Sequence, residues 1–574
     1  QSHGIKGKII NLTSKAGERI GFNLIYSGNH YEAAQVNSYG KLRIVTGINP
    51  SLFSYKIRAG ESFETPEAVM TYGYAGFNSM SHNMHDFVNN HIVRGKWKNR
   101  VRPILLNSWE AAYFNINEKK LLRLAKAGKE AGVELFVMDD GWFGERNDDT
   151  SSLGDWTPNE KKLPGGIREI ADKIKALGLD FGIWVEPEMV NVKSRLYEKH
   201  PEWVVDIPEK PHSEGRNQRI LDLSNTEVQD YIIEQMSNIF SSADISYVKW
   251  DMNRIFSDYY SKNLPPERQG EMAHRYVCGL YHCMRELTKR FPDILFEGCS
   301  AGGNRFDLGI LCYFPQIWAS DNTDALCRTQ IQYNYSYGYP LSCISAHVSA
   351  SPNHQTLRNM PLETRFAVAA FGNLGYEFNL CDLPKDEFVA VKAQIELYKK
   401  WREVIQYGTF YRRECFDNRN SRNHGVLNNG AGNNASWCVA SKDMSKAVGF
   451  TMQKLVVPNT QFACFFANGL KDDALYHFYN RRLKHNIKEF GELVNMVSPV
   501  HIKQGSLVQE LASKFVKLDG ETEDYTAYGD TLMYAGVKLK QSFSATGYSE
   551  DVRLYQDFAA RLYFMEEVNA DDNA

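Results

Sequence analysis

The 574-residue sequence lacks the features that mark several special classes of protein. It contains no uninterrupted apolar run of the roughly 18–20 residues that a helix needs to cross a bilayer. Its ten cysteines include no CxxC pair, so neither a zinc site nor a thioredoxin-like motif is indicated. A D-x-D-x-D-G calcium loop is also missing. The sequence therefore predicts no membrane span, no zinc site and no calcium-binding loop of that type.

The sequence has little excess of either charge: it contains 66 Lys and Arg and 69 Asp and Glu, which gives a net charge of −3. This balance leaves no basic footprint for a nucleic acid or an anionic membrane, and we expect neither as a partner. The opening residues, Gln1-Ser2-His3-Gly4, show no basic or apolar part of a signal peptide. Scattered cysteines are typical of reduced, buried thiols. Together these features favour a cytoplasmic protein.

Hydrophobic residues make up 43% of the chain and aromatic residues 13%, which is enough for a large folded core. Aromatic faces also hold the apolar faces of sugar rings, although large cores use them as well.

The pattern of apolar residues changes along the chain. Residues 1–98 alternate apolar and polar positions with turn signals, which predicts antiparallel β-structure, and residues 406–574 return to that pattern. Between them, residues 99–405 alternate short apolar strands with amphipathic helices. Eight strand candidates are counted there, at 103–106, 134–138, 179–185, 245–250, 294–297, 316–319, 341–345 and 374–378.

Eight strands in β-α alternation predict an α/β fold, a (β/α)₈ TIM barrel flanked by an N-terminal β-sandwich remnant and a C-terminal antiparallel β-sandwich. A doubly wound parallel sheet is the alternative. A possible extra strand at 218–223 would change the count.

Carboxylates and tryptophans recur where the predicted barrel strands end. These segments are Trp109-Glu110, Asp139-Asp140-Gly141-Trp142, Trp184-Val185-Glu186-Pro187-Glu188, Lys249-Trp250-Asp251, Glu297-Gly298-Cys299 and Trp318-Ala319-Ser320-Asp321. Because active sites of such barrels lie at the carboxyl ends of the strands, these side chains would share one mouth. Two other interpretations stay open: the acids could cap the following helices, or they could bind Ca²⁺ or Mg²⁺.

Glycoside hydrolysis needs two carboxyl groups facing one sugar. Asp251 and Asp321 follow strands four and six and would face the same mouth. Lys249 points the same way two residues before Asp251, and its cation would keep Asp251 ionised. Burial after the apolar stretch 316–319 would raise the pKa of Asp321. The pattern alone does not select this pair from the other acids of the rim.

At these residues the sequence resembles the bacterial α-galactosidases of glycoside hydrolase family 36. The resemblance covers about residues 15–560. The segments that carry it are Leu135–Gly144, Asn147–Trp156, Trp184–Val190, Ser213–Gln218, Tyr247–Arg254, Phe296–Ser300 and Trp318–Asp324. The pieces Lys249–Arg254 and Ser320–Asp324, in this order, are highly specific.

The resemblance implies a retaining hydrolase of terminal α-galactosides such as melibiose and raffinose, with no cofactor and no metal. In the matching motifs, Asp251 takes the place of the nucleophile and Asp321 that of the general acid/base. The resemblance further implies substrate-binding roles for Asp139, Asp140, Trp184, Arg216, Lys249, Cys299, Gly302, Trp109 and Trp318.

Two departures from the family pattern leave alternatives open. Ala301 and Asn304 replace glycines beside the wall that distinguishes a 2-hydroxyl from a 2-N-acetyl group, so an α-N-acetylgalactosaminidase is an alternative. The chain also matches only the last part of the relatives' N-terminal domain, which helps to form a tetramer in the family. Homo-oligomerisation is therefore an open expectation, and a non-catalytic galactoside-binding scaffold is a further alternative.

Four other polar residues receive supporting roles. Glu186 and Glu188 are expected to support the site rather than to catalyse, and His347 and His354 are expected to be structural. Cys299 is expected either to contact the 2-hydroxyl side of the sugar or only to fill space.

Overall fold

The computed structural model describes residues 9–13, 17–416, 432–456, 463–496, 498–542, 553–554 and 556–568. They divide into two compact units. The first comprises residues 1–359 and 369–402, and the second comprises residues 360–368 and 403–574. No helix in the described part of the chain combines the length and apolarity that would let it cross a bilayer.

The first unit begins with β-structure. A three-stranded antiparallel sheet and a separate hairpin precede the barrel. The elements are β1 (Ile9–Thr13), β2 (Arg19–Leu24), β3 (His30–Val36), β4 (Leu42–Ile48), β5 (Ala68–Gly73) and α1 (Gly76–Phe87), followed by a π-helical turn, Val88–Ile92.

Eight parallel strands then close into a barrel, so the TIM-barrel prediction is confirmed and the doubly wound alternative is wrong. The barrel strands are β6 (Leu105–Asn107), β7 (Leu135–Met138), β8 (Asp180–Val185), β11 (Tyr247–Trp250), β12 (Leu295–Gly298), β13 (Gln316–Trp318), β14 (Ile344–Ser349) and β15 (Asn373–Glu377). The possible extra strand becomes β10 (Gln218–Ile220), which pairs with β9 (Met189–Asn191) outside the barrel.

The intervening helices follow ordinary capping rules. Helix α3, for example, begins after Asn117, whose side chain accepts a hydrogen bond from the Lys120 N–H, and ends at Gly132 with φ 100°. The helices are α2 (Trp109–Ala112), α3 (Glu118–Ala131), α4 (Gly166–Ala176), α5 (Arg195–Lys199), α6 (Thr226–Ser242), α7 (Met272–Arg290), α8 (Leu308–Leu311), α9 (Ala325–Tyr335), α10 (Leu362–Ala369) and α11 (Lys385–Tyr407). Short 3₁₀ turns occupy Pro201–Trp203, Pro266–Glu271, Leu341–Cys343 and Leu380–Asp382.

The second unit contains a six-stranded antiparallel sheet in the order β16-β17-β18-β27-β20-β23. Its helix α12 (Leu507–Phe515) and the helical turns Ile487–Met496 and Thr531–Ala535 lie between strands. The strands are β16 (Thr409–Cys415), β17 (Asn434–Ala440), β18 (Lys446–Gln453), β19 (Cys464–Phe465), β20 (Leu475–Asn480), β21 (Lys484–Asn486), β22 (Lys517–Asp519), β23 (Asp524–Tyr528), β24 (Val537–Lys538), β25 (Gln541–Ser542), β26 (Arg553–Leu554) and β27 (Ala560–Glu567). The domain boundaries at 98 and 405 stay predictions.

Candidate active site

A cavity of about 200 Å³ opens among side chains from the carboxyl ends of the barrel strands and the loops beyond them. Nine of the eleven predicted site residues line it, namely Trp109, Asp139, Asp140, Trp184, Arg216, Lys249, Asp251, Trp318 and Asp321. The remaining lining residues are Glu110, Phe114, Arg146, Asp149, Glu186, Gln218, Asn253, Thr323, His354, Gln355 and Glu377. The cavity thus has room for one small polar molecule and is rich in carboxylates.

Helix capping does not explain the principal acids. Asp324 caps α9 by accepting from the Cys327 N–H, and Asp307 caps α8 by accepting from the Ile310 N–H. The residues at the N-cap positions of the helices do not include Asp139, Asp140, Asp251 or Asp321. Among the described residues, no group of three or more His, Cys, Asp or Glu is placed to hold a metal ion.

Asp139 and Asp140, at the end of β7, are each joined to a buried cation. Oδ2 of Asp139 accepts from Lys249 Nζ at 3.0 Å and from Asn107 Nδ2 at 2.8 Å. Asp140 accepts from Arg146 Nε at 3.0 Å and from a terminal guanidinium nitrogen at 2.8 Å. Such charge-assisted bonds fix the orientation of both carboxylates. This wall of the cavity consists of rigid acceptors.

The ion-pair partner of Lys249 is not the predicted one. Its ammonium donates to Asp139, whereas Asp251, which it was expected to keep ionised, contributes only a weaker electrostatic attraction. Burial lowers the pKa of Lys249, but the negative charges around it, that of Asp139 foremost, together outweigh burial, so the pKa lies well above its usual range. The reason is geometric: β7, β8 and β11 are neighbours in the barrel, so the Lys249 side chain meets the end of β7.

Asp251, directly after β11, receives neutral donors. Trp184 Nε1 donates to Oδ2 at 3.1 Å, and the Met252 N–H donates to Oδ1 at 2.9 Å. The backbone N–H of Asp251 donates to Val185 O at 2.8 Å, which anchors the residue to β8. The side chain of Asp251 is therefore held by an indole and a backbone amide in a wall that is 5% exposed.

Asp321 lies three residues beyond β13. Trp318 Nε1 donates to its Oδ1 at 3.1 Å, and Gln355 Nε2 donates to its backbone carbonyl at 2.9 Å. Burial, with the nearby charge of Asp251, raises the pKa of Asp321 to about 6. The pKa direction expected from the apolar stretch before it is thus the one found. Asp321 can hold a proton under conditions in which an ordinary aspartate would release it.

Glu186 and Glu188 differ in their positions. Glu188 is fully buried away from the cavity lining and accepts from Trp250 Nε1 at 2.8 Å, Tyr276 Oη at 2.7 Å and Arg305 at 2.8 Å. Glu186 lines the cavity and accepts from Gln218 Nε2 at 3.0 Å. Burial, with the charge of Asp251, raises the pKa of Glu186 to about 8.

The two histidines also separate. His347 is buried, with Nδ1 2.9 Å from Glu377 Oε2 and its ring 4.3 Å from that of Trp318. His354 lines the cavity, and its Nδ1 lies 3.1 Å from Glu110 Oε1. That contact raises the pKa of His354.

Two predicted residues, Cys299 and Gly302, are not among the residues that line the cavity. Cys299 is 2% exposed, and its backbone N–H donates to Trp250 O at 2.8 Å. Burial raises the pKa of its thiol well above the usual value. Ala301 (φ 46°) and Gly302 (φ 86°) form a tight turn, in which the Ser300 N–H donates to Gly302 O. Asn304, which donates to Ser300 O, also lies outside the lining.

Several lining residues escaped sequence analysis, above all Arg146 and Glu377. Arg146 sits in the long loop after β7, where a lone arginine six residues beyond an acidic pair is the signal that was available. Glu377 ends β15, and the strand-end rule that identified the other acids covers it too.

Comparison with known proteins assigns most of the chain to recognised models. Residues 62–408 match the Melibiase family model, residues 10–58 match the glycosyl hydrolase family 36 N-terminal domain, and residues 434–565 match the C-terminal domain of that family.

Individual relatives agree with these matches. Alpha-galactosidase AgaA of Geobacillus stearothermophilus is 48% identical over 466 residues, which cover 81% of this chain and 62% of that protein. Alpha-galactosidase Mel36A of Lactobacillus acidophilus is 46% identical over 75% of this chain and 57% of its own length. The chain therefore spans about three-fifths of the length of these curated relatives.

Solved structures show the same relation. The crystal structure of AgaA superposes on this chain with a TM-score of 0.83 at 42% identity. The match covers 98% of this chain and 69% of the AgaA chain. A variant of AgaA was solved in complex with raffinose, and it superposes with a TM-score of 0.82 at 40% identity, covering 98% and 72% of the two chains.

Proposed function

This chain belongs to glycoside hydrolase family 36, and from that membership we propose that it is a retaining α-galactosidase, which releases terminal α-linked galactose through a covalent glycosyl-enzyme. The observation that carries the proposal is the unequal pair of carboxyl groups in one cavity. Asp251 is held by two N–H donors, whereas burial raises the pKa of Asp321 to about 6.

In the proposed reaction, Asp251 attacks the anomeric carbon while Asp321 gives its proton to the glycosidic oxygen. The bond to the leaving group breaks as the bond to Asp251 forms. Asp321, now ionised, then takes a proton from water, which attacks the same carbon and frees Asp251. Two N–H donors orient the carboxylate of Asp251, and burial favours the protonated form that Asp321 needs first.

The rest of the cavity is proposed to bind the sugar. The fixed carboxylates of Asp139 and Asp140 would accept hydrogen bonds from ring hydroxyls, including the axial one that distinguishes galactose from glucose. Further contacts are proposed for Trp109, Trp184, Trp318, Arg216 and Lys249 from the cavity lining, and for Cys299 and Gly302 behind it. The reaction is complete with two carboxyl groups and water, so the proposal includes no cofactor.

Oligosaccharides with a terminal α-galactose are the proposed substrates. Raffinose and stachyose occupy variants of the AgaA relative in solved structures, and melibiose carries the same terminal linkage class. The oligomeric state and the cellular location expected from the sequence stay predictions.

The test is a parallel assay of the purified chain on 4-nitrophenyl α-galactoside and 4-nitrophenyl α-N-acetylgalactosaminide, with Asp251→Asn as the control. We expect the galactoside alone to be hydrolysed and the variant to be inactive. Preference for the N-acetyl sugar would replace the proposal by an α-N-acetylgalactosaminidase. Binding of galactose with no turnover of either substrate would favour a sugar-binding scaffold.

A further inference from the structure

Arg328 is buried against Trp318, one of the residues that line the cavity, and among the described residues it forms no salt bridge with a carboxylate. Arg328, on α9, is 2% exposed. One of its terminal nitrogens donates to Ser345 O at 3.2 Å, while its Nε and its other terminal nitrogen have no hydrogen-bond partner among the described residues. A buried guanidinium with unmet donors is unfavourable unless its surroundings compensate for it.

The main contact of Arg328 is the indole of Trp318. The guanidinium carbon lies 4.2 Å from the ring centroid, which is a close cation–π contact. The same indole packs against the His347 ring at 4.3 Å and has Lys249 Nζ 6.0 Å from its centroid. Two cations and an imidazole therefore confine the Trp318 ring.

Trp318 connects this contact to the chemistry. Its Nε1–H donates to Oδ1 of Asp321 at 3.1 Å, so the position of the ring determines where that hydrogen bond is made. Arg328 does not line the cavity and contacts no carboxylate of the site by a hydrogen bond.

The charge of Arg328 is favoured by the acids around it. Burial lowers its pKa to about 10, and the charges of Glu377, Asp321, Tyr335 and Glu297 act in the opposite direction. The side chain is therefore still a cation at neutral pH, beneath a cavity whose lining contains many carboxylates.

We propose that Arg328 is a positioning residue for the general acid/base: its guanidinium holds the Trp318 indole so that the indole N–H stays on Asp321. The kinetic part of this inference rests on the proposed function, and the structural part does not. The charge of Arg328 also interacts with Asp321 directly. A guanidinium that acted only through its charge would alter the proton affinity of Asp321 and leave the hydrogen bond of the Trp318 indole in place.

The structural part is tested by nuclear magnetic resonance of the full chain with ¹⁵N-labelled tryptophan. The ten tryptophans give ten indole signals, and the signal missing in Trp318→Phe assigns Trp318. In the wild type this signal should titrate with Asp321. The other titratable or charged groups that interact with Asp321 are Asp251, Lys249, Arg216, His354, Cys299 and Arg328 itself. All of them except Arg328 are unchanged in the variants compared.

In Arg328→Met, loss of the cation and loosening of the hydrogen bond both raise the pKa of Asp321, so the midpoint should move upward by roughly half a pH unit or more. Arg328→Lys retains a cation and should restore part of the wild-type midpoint. Arg561→Met is the matched control, because it also removes a buried arginine, one that pairs with Glu521 in the second unit. The control should leave the midpoint unchanged. In Arg328→Met the indole N–H of Trp318 should also exchange faster with solvent, because its hydrogen bond to Asp321 is loosened, and loss of charge alone would not cause this. An unchanged midpoint or an unchanged exchange rate in Arg328→Met would overturn the proposal.

The kinetic part compares leaving groups. Arg328→Met should lose about tenfold more kcat/KM on raffinose than on 4-nitrophenyl α-galactoside, because only the poor leaving group needs a well-placed acid. Equal losses on both substrates, together with a shifted midpoint, would overturn the kinetic part. A wild-type chain that cleaves neither substrate would refute the proposed function, and the indole titration would still decide the structural part.

Discussion

The two sides of the cavity hold their carboxylates in different ways. On the β7 side, Asp139 and Asp140 accept hydrogen bonds from Lys249 and from Arg146. On the opposing side, Asp251 and Asp321 accept from the indoles of Trp184 and Trp318.

The difference matters because a cation and a neutral donor have different effects on proton affinity. A cation at hydrogen-bond distance favours the ionised form of a carboxylate and fixes its orientation, which suits an acceptor for hydroxyl groups. At Asp140 burial nevertheless outweighs the charge of Arg146 and raises the pKa of the carboxyl group. An indole N–H fixes orientation with a weaker preference for the ionised form, which leaves burial and neighbouring charge to set the pKa. The cavity thus has one side whose carboxylates are oriented by cations and one side whose carboxylates are oriented by indole N–H groups.

The largest effect is expected on the side with indole donors. Asp251→Asn removes the proposed nucleophile while keeping its size, so kcat for 4-nitrophenyl α-galactoside should fall on the order of 10⁴-fold. Galactose binding, measured by calorimetry, should remain. A variant that turns over as fast as the wild type would remove Asp251 from the mechanism.

On the cation-paired side, the largest effect should be on stability. Arg146→Met leaves the buried carboxylate of Asp140 without its cation, and breaking a buried pair costs about 3–5 kcal/mol in the free energy of unfolding. Lys399→Met is the control, since its pair with Glu396 is partly exposed and should contribute less than about 1 kcal/mol. Equal losses in chemical denaturation would show that Arg146 and Asp140 are not coupled as the distances indicate.

Asp321→Ala separates acid assistance from binding. Melibiose has a poor leaving group, so its kcat/KM should fall roughly a hundredfold more than that of an activated aryl galactoside. The ratio of the two losses is the measurement. A ratio near one would argue against Asp321 as the acid and would make the two sides of the cavity alike.

The smallest expected effect concerns Glu186, beside Asp251. With its folded-state pKa raised to about 8, Glu186 holds a proton that the unfolded chain releases near 4.5. Its contribution to stability is fully present below pH 4.5 and is lost as the pH rises towards 8. Glu186→Gln should therefore flatten the dependence of stability on pH between 4.5 and 8. Relative to the wild type, the variant should be more stable at pH 8 than at pH 4.5. Parallel Tm profiles for the two proteins would refute the assignment.

Much of the fold follows from local sequence. Eight apolar segments followed by helical patterns predict the barrel, because parallel strands buried on both faces are short and apolar. Strand seven shows the limit of prediction from apolar pattern. The pattern predicts a strand at 341–345, whereas a 3₁₀ turn follows Pro340 and β14 begins only at Ile344. Apolar residues alone do not separate a buried turn from a buried strand.

The site was partly predictable for the same reason. Strand-end position identifies Asp139, Asp140, Asp251 and the neighbouring tryptophans, since all parallel strands deliver their carboxyl ends to one mouth. The partnerships were not predictable. Lys249, on β11, donates to Asp139 at the end of β7, two strands away. Arg146 lies in a long loop and donates to Asp140. Arg328, on the helix after β13, contacts the indole of Trp318. Such contacts depend on loop paths and strand neighbours that spacing does not encode.

The central claim is that Asp251 forms a covalent bond to galactose. The most direct test is to incubate the chain with a fluorinated α-galactosyl fluoride, whose glycosyl-enzyme is hydrolysed slowly, and to digest and sequence the product by mass spectrometry. The account predicts one galactosyl adduct per chain, on Asp251. An adduct on another carboxylate, or continued turnover of this fluoride with no adduct under the same conditions, would contradict it.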